Sequence, residues 1–253
     1  MKKTQVGGQA VMEGVMMRGA KGIATAVRTP KGDINIEFQN KAPITKRNKI
    51  LALPIIRGFV SLIDSLMIGI GALNFSASFF EEEGETSKFE QWFLEKFKDK
   101  GEKIILVITL IISLSLSVGL FFLLPTAITS LFKGLGLGFI WLNIIEAIIR
   151  VGLFVLYVYL IAKLEDIERL FQYHGAEHKT IFCYENEEDL TVENVKKYSR
   201  LHPRCGTNFL FLVMIVSILV FSFTGWNSVW QRFLARILLL PLVSGITYEI
   251  IKW

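Results

Sequence analysis

The residues best suited to bind a metal ion lie in one short part of the chain. All three histidines (His174, His178 and His202) and both cysteines (Cys183 and Cys205) fall between positions 174 and 205. In YHGAEHKTIFCYE, the first two histidines are four residues apart and Glu177 lies between them, so a helix would present all three on one face. The pattern H-x-x-E-H is typical of inverted zinc proteases, in which the glutamate activates water. We therefore predict a site for zinc or another divalent transition metal, with Glu177 as the catalytic base.

The segment LHPRCGTNF offers further ligands, because His202 and Cys205 are three residues apart and Gly206 permits a tight turn. If the three histidines bind the metal and one position stays open, the site is suited to catalysis. If Cys205 completes the shell, the site is structural. A third interpretation is that the histidines lie on a buried helical stripe and only hydrogen-bond to neighbours. Cys183 is expected to be a small packed residue.

Ionisable residues inside apolar segments form a second group of candidates. Glu146 and Arg150 are four residues apart in a long apolar run and are expected to form an ion pair, with a substrate or proton path as the alternative. Glu249 lies in the last apolar segment and is a candidate remote carboxylate ligand.

The amino-terminal segment GGQAVMEGVMMRG is rich in glycine and carries Glu13 and Arg18. Its glycines would let the backbone approach a ligand or the membrane closely. The alternative is a tightly turning segment that packs under a cytoplasmic domain, with its methionines as adaptable apolar contacts.

These motifs and the closing GITYEIIKW occur in the order that resembles the YqhQ-like family of bacterial membrane proteins. The resemblance covers essentially the whole chain. It implies a membrane protein with a domain of unknown function, often labelled a predicted metal-dependent enzyme. It supports the positions His174, Glu177, His178, His202 and Cys205 and implies no substrate.

The composition indicates that these residues are held in a membrane protein. The chain has 253 residues, of which 52% are hydrophobic, and its charges alternate with long uncharged runs. The net charge of +5 suggests contact with anionic lipids, and the absence of a basic face interleaved with aromatics argues against nucleic-acid binding. Two cysteines are too few for a disulfide framework, and the amino terminus lacks a signal-peptide core, so we expect it in the mature protein.

The pattern along the chain predicts an all-α polytopic membrane protein with a small amino-terminal β element. Spans are expected at 104–124, 140–162, 207–224 and 233–251. Residues 1–49 form the glycine-rich β element, with a hairpin turn at Pro30 to Asp33. Residues 81–103 form a charged cytoplasmic connection. Residues 163–206 hold the His/Cys segment and begin as an amphipathic helix that continues the second span.

The distribution of basic residues predicts the topology. Residues 1–49 contain ten lysines and arginines and residues 163–208 contain seven, so both regions are expected in the cytoplasm. The spans at 104–124 and 140–162 already supply an even number of crossings between them. Residues 50–80 should therefore not cross once, and a re-entrant hairpin or a pair of interfacial helices fits better. Both termini are predicted to be cytoplasmic, in the bacterial inner membrane.

Two functional hypotheses follow. The first is a zinc-dependent hydrolase that acts at the cytoplasmic membrane face on a lipid-linked or protein substrate. The second is a non-enzymatic membrane protein in which the same residues staple the cytoplasmic domain and the helices serve transport or the assembly of other membrane proteins. The oligomeric state is left open.

Overall fold

The computed structural model describes residues 6–46, 48–80, 101–202, 205–223 and 228–252. The chain forms two compact units, one of residues 1–80 and 159–253 and the other of residues 81–158. Most of the predicted connection at 81–103 lies outside the described residues. The predicted combination of a helical protein and a small amino-terminal sheet is confirmed.

The four strands come first in the chain: β1 (Gly7–Val11), β2 (Gly14–Gly19), β3 (Gly22–Arg28) and β4 (Ile34–Gln39). Eight α-helices follow in the described residues: α1 (Ile56–Ala77), α2 (Gly101–Val118), α3 (Leu124–Ser130), α4 (Phe139–Ile161), α5 (Glu165–Glu185), α6 (Val192–Lys196), α7 (Gly206–Ser222) and α8 (Val229–Lys252). A π-helical turn, Gly119–Leu123, joins α2 to α3, and a 3₁₀ turn, Leu131–Leu135, follows α3.

The strands form one antiparallel sheet in the order β1-β2-β3-β4. The predicted turn at Pro30 to Asp33 is confirmed, since it connects the paired strands β3 and β4. Gly32 adopts a φ of 92° there, and its N–H donates to the carbonyl of Thr29 at 2.9 Å. This left-handed conformation favours glycine.

The sheet lies between two helices. Alternate residues of a strand point to opposite faces, so each face of the sheet can pack against a different helix. One face packs Val11, Met16, Ile23 and Val27 against α1, which contributes Ile68 and Ala72 to the same core. On the other face, β1 and β2 contact α5. The sheet therefore connects the two helices.

Residues 50–80 differ from the predicted hairpin or helix pair, because one continuous helix of 22 residues, α1, follows Pro54 and Ile55. Its glycines do not interrupt it. A Cβ on Gly58 would lie 2.8 Å from the Cα of Gly245 in α8, and one on Gly69 would collide with the side chain of Gln9. Close packing at these two glycines offsets their helix penalty of roughly 1 kcal/mol each.

Four helical segments are long and apolar enough to cross a membrane: Ile56–Ala77, Val107–Leu135, Phe139–Ile161 and Trp230–Lys252. The predicted spans at 140–162 and 233–251 correspond to two of these helices, and the span at 104–124 extends further, to Leu135. The span predicted at 207–224 is the shorter apolar helix α7, of 17 residues. The sequence pattern thus located four of the apolar helices. Helix α1 is a further one, in the segment for which a hairpin or a pair of helices was expected.

The predicted amphipathic helix after the second span is a separate helix, α5. The chain turns at residues 162–163, and Leu164 is extended, with a ψ of 132°, before α5 begins. Three acidic residues, Glu165, Asp166 and Glu168, lie in the first turn of α5, where they interact favourably with the helix dipole. Helix α5 carries His174, Glu177 and His178.

Candidate metal centre

Helix α5 brings His174 and His178 together as their spacing predicts. The centroids of their rings are 4.4 Å apart. Gly175 lies between them and does not interrupt the helix, which continues for more than two turns on each side of it. The two imidazoles therefore lie on one face, and that face is turned toward the start of α7.

Cys205, at the start of α7, completes a group of three donors. Its Sγ lies 3.3 Å from Nε2 of His174. One ligand atom from each of His174, His178 and Cys205 falls within 4.8 Å of the others. Nitrogen and sulfur ligands of one tetrahedral zinc ion are about 3.6 Å apart. The spacing of the donors therefore fits a small transition-metal ion.

Cys205 is positioned by the helix that it begins. It is the N-cap residue of α7, and its Sγ accepts a hydrogen bond from the backbone N–H of Thr207 at 3.4 Å. The start of the helix therefore fixes the position of Sγ beside His174.

His178 is oriented by the backbone. Its Nδ1 lies 2.6 Å from the carbonyl oxygen of Arg200, and because a carbonyl only accepts, Nδ1 carries the hydrogen. The lone pair is then on Nε2. A histidine that donates its other ring N–H to a carbonyl is the usual arrangement of a metal-binding histidine.

Glu177 lies beside both imidazoles. Its Oε2 is 3.6 Å from Nδ1 of His174 and 3.8 Å from Nε2 of His178. The side chain is only 4% exposed, and Oε2 has no hydrogen-bond partner among the described residues. A buried carboxylate oxygen of this kind is suited to a further partner, such as an ordered water or a hydrated cation.

Burial shifts the acid–base properties of this group. It raises the pKa of Glu177 above its usual range, although the neighbouring His178 opposes the change. It lowers the pKa of His174, and His178 acts in the same direction. Both shifts follow from the desolvation of the charged form. A carboxylate with a raised pKa is a stronger base, and a histidine with a lowered pKa stays neutral and able to bind metal.

The amino-terminal motif covers the glutamate. A Cβ on Gly8 would lie 2.6 Å from Oε1 of Glu177 and 2.8 Å from Sδ of Met17. The missing side chain at Gly8 therefore allows β1 to close over the carboxylate. This residue was not predicted as part of the site, although its glycine-rich motif was recognised as one that permits close approach.

Glu13 and Arg18 hold the sheet in place from its two faces. Glu13 accepts hydrogen bonds from Nε of Arg169 at 2.6 Å and from the hydroxyl of Tyr173 at 2.9 Å, both in α5. The bond from Arg169 lowers the pKa of Glu13. Arg18 donates to Asp64 of α1 at 2.9 Å. These contacts support the packing interpretation of the motif.

His202 lies next to the three donors but is not one of the group. Its ring is 5.8 Å from that of His178 and 4.4 Å from that of Phe182, and its Nε2 lies 3.5 Å from a carboxylate oxygen of Glu185. Glu185 is 1% exposed and was not predicted. The signal for it was its position on the buried stripe of α5, eight residues after Glu177. His202 thus lies beside the three donors and next to a buried glutamate, and its role as a metal ligand stays a prediction.

An open cleft of about 630 Å³ gives access to the three donors, all of which line it. Arg200 contributes to its wall, as do the apolar residues Phe171 and Leu201. The cleft also includes Thr207 and Asn208 from the first turn of α7. Its walls therefore combine the metal-binding candidates with Arg200, polar residues and apolar surface.

The remaining predicted residues form ion pairs. The expected pair of Glu146 and Arg150 is confirmed at 2.5 Å, and Thr126 donates to the same carboxylate oxygen at 3.0 Å. Glu249 pairs through both oxygens with Arg57 of α1. The structure thus places Glu249 in a contact between α1 and α8 and outside the group of metal donors.

Comparisons with known proteins agree with the resemblance seen in the sequence. Residues 53–253 match the model of a family described as "Protein of unknown function (DUF1385)". The chain is 34% identical over 253 aligned residues to the uncharacterized protein YqhQ of Bacillus subtilis (strain 168). The aligned region covers 97% of this chain and 77% of that protein. No solved structure matches the chain. The chain therefore belongs to the YqhQ-like family of proteins of unknown function.

Proposed function

We propose that this protein is a metal-dependent hydrolase of the bacterial inner membrane that acts at the cytoplasmic face. His174, His178 and Cys205 would hold zinc or another divalent transition metal, and Glu177 would be the base. The observation that carries the proposal is the convergence of these donors beside a buried carboxylate oxygen that has no hydrogen-bond partner among the described residues.

The donor set is suited to catalysis. Two histidines and one cysteine leave the fourth position of a tetrahedral ion for water or substrate, as catalytic zinc sites with three protein ligands do. The cleft offers space for a substrate at the same donors. A zinc ion in an open site polarises a carbonyl or phosphoryl group and makes water more acidic.

The protein's own residues would divide the remaining work. Glu177, with its raised pKa, accepts a proton from the attacking water and returns it to the leaving group. The carbonyl of Arg200 fixes the ring of His178, and Gly8 excludes solvent from one side of Glu177. The guanidinium of Arg200 would attract an anionic substrate, in keeping with a lipid-linked or protein substrate that carries negative charge.

A non-enzymatic role is the second candidate. The contact between His174 and Cys205 joins α5 to the start of α7, and Glu13 joins the sheet to α5. A metal at that junction would staple the domain, and the helices would then serve transport or the assembly of other membrane proteins.

Metal analysis of the purified protein tests both candidates. We expect about one equivalent of transition metal in the wild type and a loss of most of it in Cys205→Ser. Cys183→Ala is the matched control, because Cys183 is buried and contacts the carbonyls of Glu188 and Asp189. A wild-type protein that neither retains nor takes up zinc would exclude the metal centre.

Glu177→Gln separates catalysis from stapling. A catalytic base predicts normal metal content and thermal stability but failure to restore function in cells that lack the chromosomal copy. Glu168→Gln, a change at an exposed position of the same helix, should restore function fully. Full restoration by Glu177→Gln would contradict the hydrolase and favour the staple.

A further inference from the structure

The sheet covers one face of α1 along most of that helix. Near one end, Arg18 donates to Asp64 at 2.9 Å, and near the other end the N–H of Met12 donates to the hydroxyl of Ser76 at 3.2 Å. Between them, Ile68 and Ala72 belong to the core of the sheet. The covered segment, residues 64–76, is about 20 Å long at 1.5 Å per residue.

The opposite face of α1 is apolar and open. Ile56, Ile63 and Ile70 lie seven residues apart, nearly in line along the helix, and are 41%, 39% and 57% exposed. Leu66 and Met67 flank this line and are about half exposed. An apolar face of this length on a helix whose other side is already packed needs an apolar partner.

A simple crossing of the bilayer by α1 conflicts with the sheet. Among the described residues the sheet ends at two edge strands, β1 and β4, and unpaired strand edges are not tolerated in hydrocarbon. Only residues 56–63, about 12 Å of helix, are free of the sheet, whereas the hydrocarbon core is about 30 Å thick. The length and composition of α1 would allow a crossing, but its contacts oppose one.

The beginning of α1 adjoins a candidate membrane span. Arg57 pairs with Glu249, near the carboxyl end of α8, and Gly58 lies against Gly245 of the same helix. In the sequence, four basic residues shortly precede α1, namely Lys41, Lys46, Arg47 and Lys49. Basic residues beside an apolar surface favour anionic lipid headgroups.

We propose that α1 lies in the plane of the membrane interface, at the end of α8, with its Ile56–Ile63–Ile70 face in the acyl chains of an anionic phospholipid leaflet. The sheet then rests on the water side of the helix. This inference goes beyond the proposed hydrolase and does not depend on a bound metal. It assigns the uncovered face of α1 to lipid.

Fluorescence quenching can measure the depth of this face. A fluorescent amino acid is introduced singly at Ile56, Ile63 or Ile70 of the full chain, which is reconstituted in vesicles of phosphatidylglycerol and phosphatidylcholine with quenchers at known depths. The matched control is Ile237 and Ile251 in α8, which are 51% and 50% exposed and lie as far apart in sequence as Ile56 and Ile70.

An in-plane helix predicts similar shallow depths at all three positions, within about 5 Å, while the two control positions differ by more than about 10 Å. A crossing helix would place Ile63 about 10 Å deeper or shallower than at least one of its neighbours, and that result would overturn the proposal. Full exposure of all three probes to an aqueous quencher, with no lipid quenching, would overturn it too and would assign the face to a protein partner.

Discussion

Two buried carboxylates, Glu146 and Glu177, illustrate the difference between a structural and a functional charge. Glu146 is 1% exposed and is matched within its own unit by Arg150 and Thr126. Arg150 also donates to the carbonyl of Phe121, in the π-helical turn. Glu177 is almost as buried, but its Oε2 has no hydrogen-bond partner among the described residues. The comparison teaches that the partners of a buried charge, more than its burial, distinguish a packing role from a site.

The largest effect is expected from removing one partner of the matched pair. Glu146→Ala should lower the free energy of unfolding by about 3–5 kcal/mol, because it removes one partner of a buried ion pair. Thermal unfolding in detergent measures this. The double replacement of Glu146 and Arg150 by methionine is the control and should be closer to the wild type. A single variant as stable as the wild type would show that the pair is not structural.

A somewhat smaller effect on stability is expected from zinc bound beside Glu177. Free zinc at about 100 times its dissociation constant should stabilise the wild type by about 2.7 kcal/mol, seen as a higher Tm. The gain should vanish in His174→Ala and persist in Glu146→Gln. Since protons compete with metal for imidazole and burial lowers the pKa of His174, the gain should shrink only at a pH below the ordinary histidine range. A gain that is independent of pH and of His174 would contradict the assignment.

Gly8→Ala tests whether β1 closes over Glu177. The added methyl group would collide with Oε1 of Glu177, so we expect a loss of about 1–3 kcal/mol in stability. Gly7→Ala, next to it in the same strand, is the matched control, because nothing lies within 4 Å of its added Cβ. Its effect should stay within about 0.5 kcal/mol. Equal effects of the two changes would contradict the contact.

The smallest effect on stability is expected at Glu177, whose Oε2 has no hydrogen-bond partner among the described residues. Without metal, Glu177→Gln should change the free energy of unfolding by no more than about 1 kcal/mol, and in the stabilising direction, because it removes a charge that burial disfavours. Glu146→Gln should be destabilising under the same conditions. Chemical denaturation of the two variants side by side provides the measurement, and the opposite order would break the comparison.

Local patterns predicted much of this molecule. The spacing of His174 and His178 fixed their common face because a helix repeats every 3.6 residues, and the turn at Pro30 to Asp33 follows from the residues within it. The pair of Glu146 and Arg150 is also local. In each case the partners are close in sequence, so the geometry follows from one element.

Contacts between distant segments could not be predicted in the same way. The approach of Gly8 to Glu177 and the approach of Cys205 to His174 depend on how β1 and α7 pack against α5. The continuity of α1 depends on Gly58 and Gly69 meeting α8 and β1, which outweighs the helix-breaking tendency of glycine. Composition marks such residues as unusual but does not name their partners.

Two consecutive residues of strand β1 face the two helices on opposite sides of the sheet. Gly8 faces Glu177 in α5, and Gln9 faces Gly69 in α1. Because side chains alternate along a strand and the turn to β2 fixes the register, the insertion of a single residue between Gln9 and Val11 would move Gln9 to the place of Gly8. A glutamine would then meet the carboxylate, and both glycine contacts would be lost together. Changes in length at this point should therefore be far less acceptable than substitutions in the same strand.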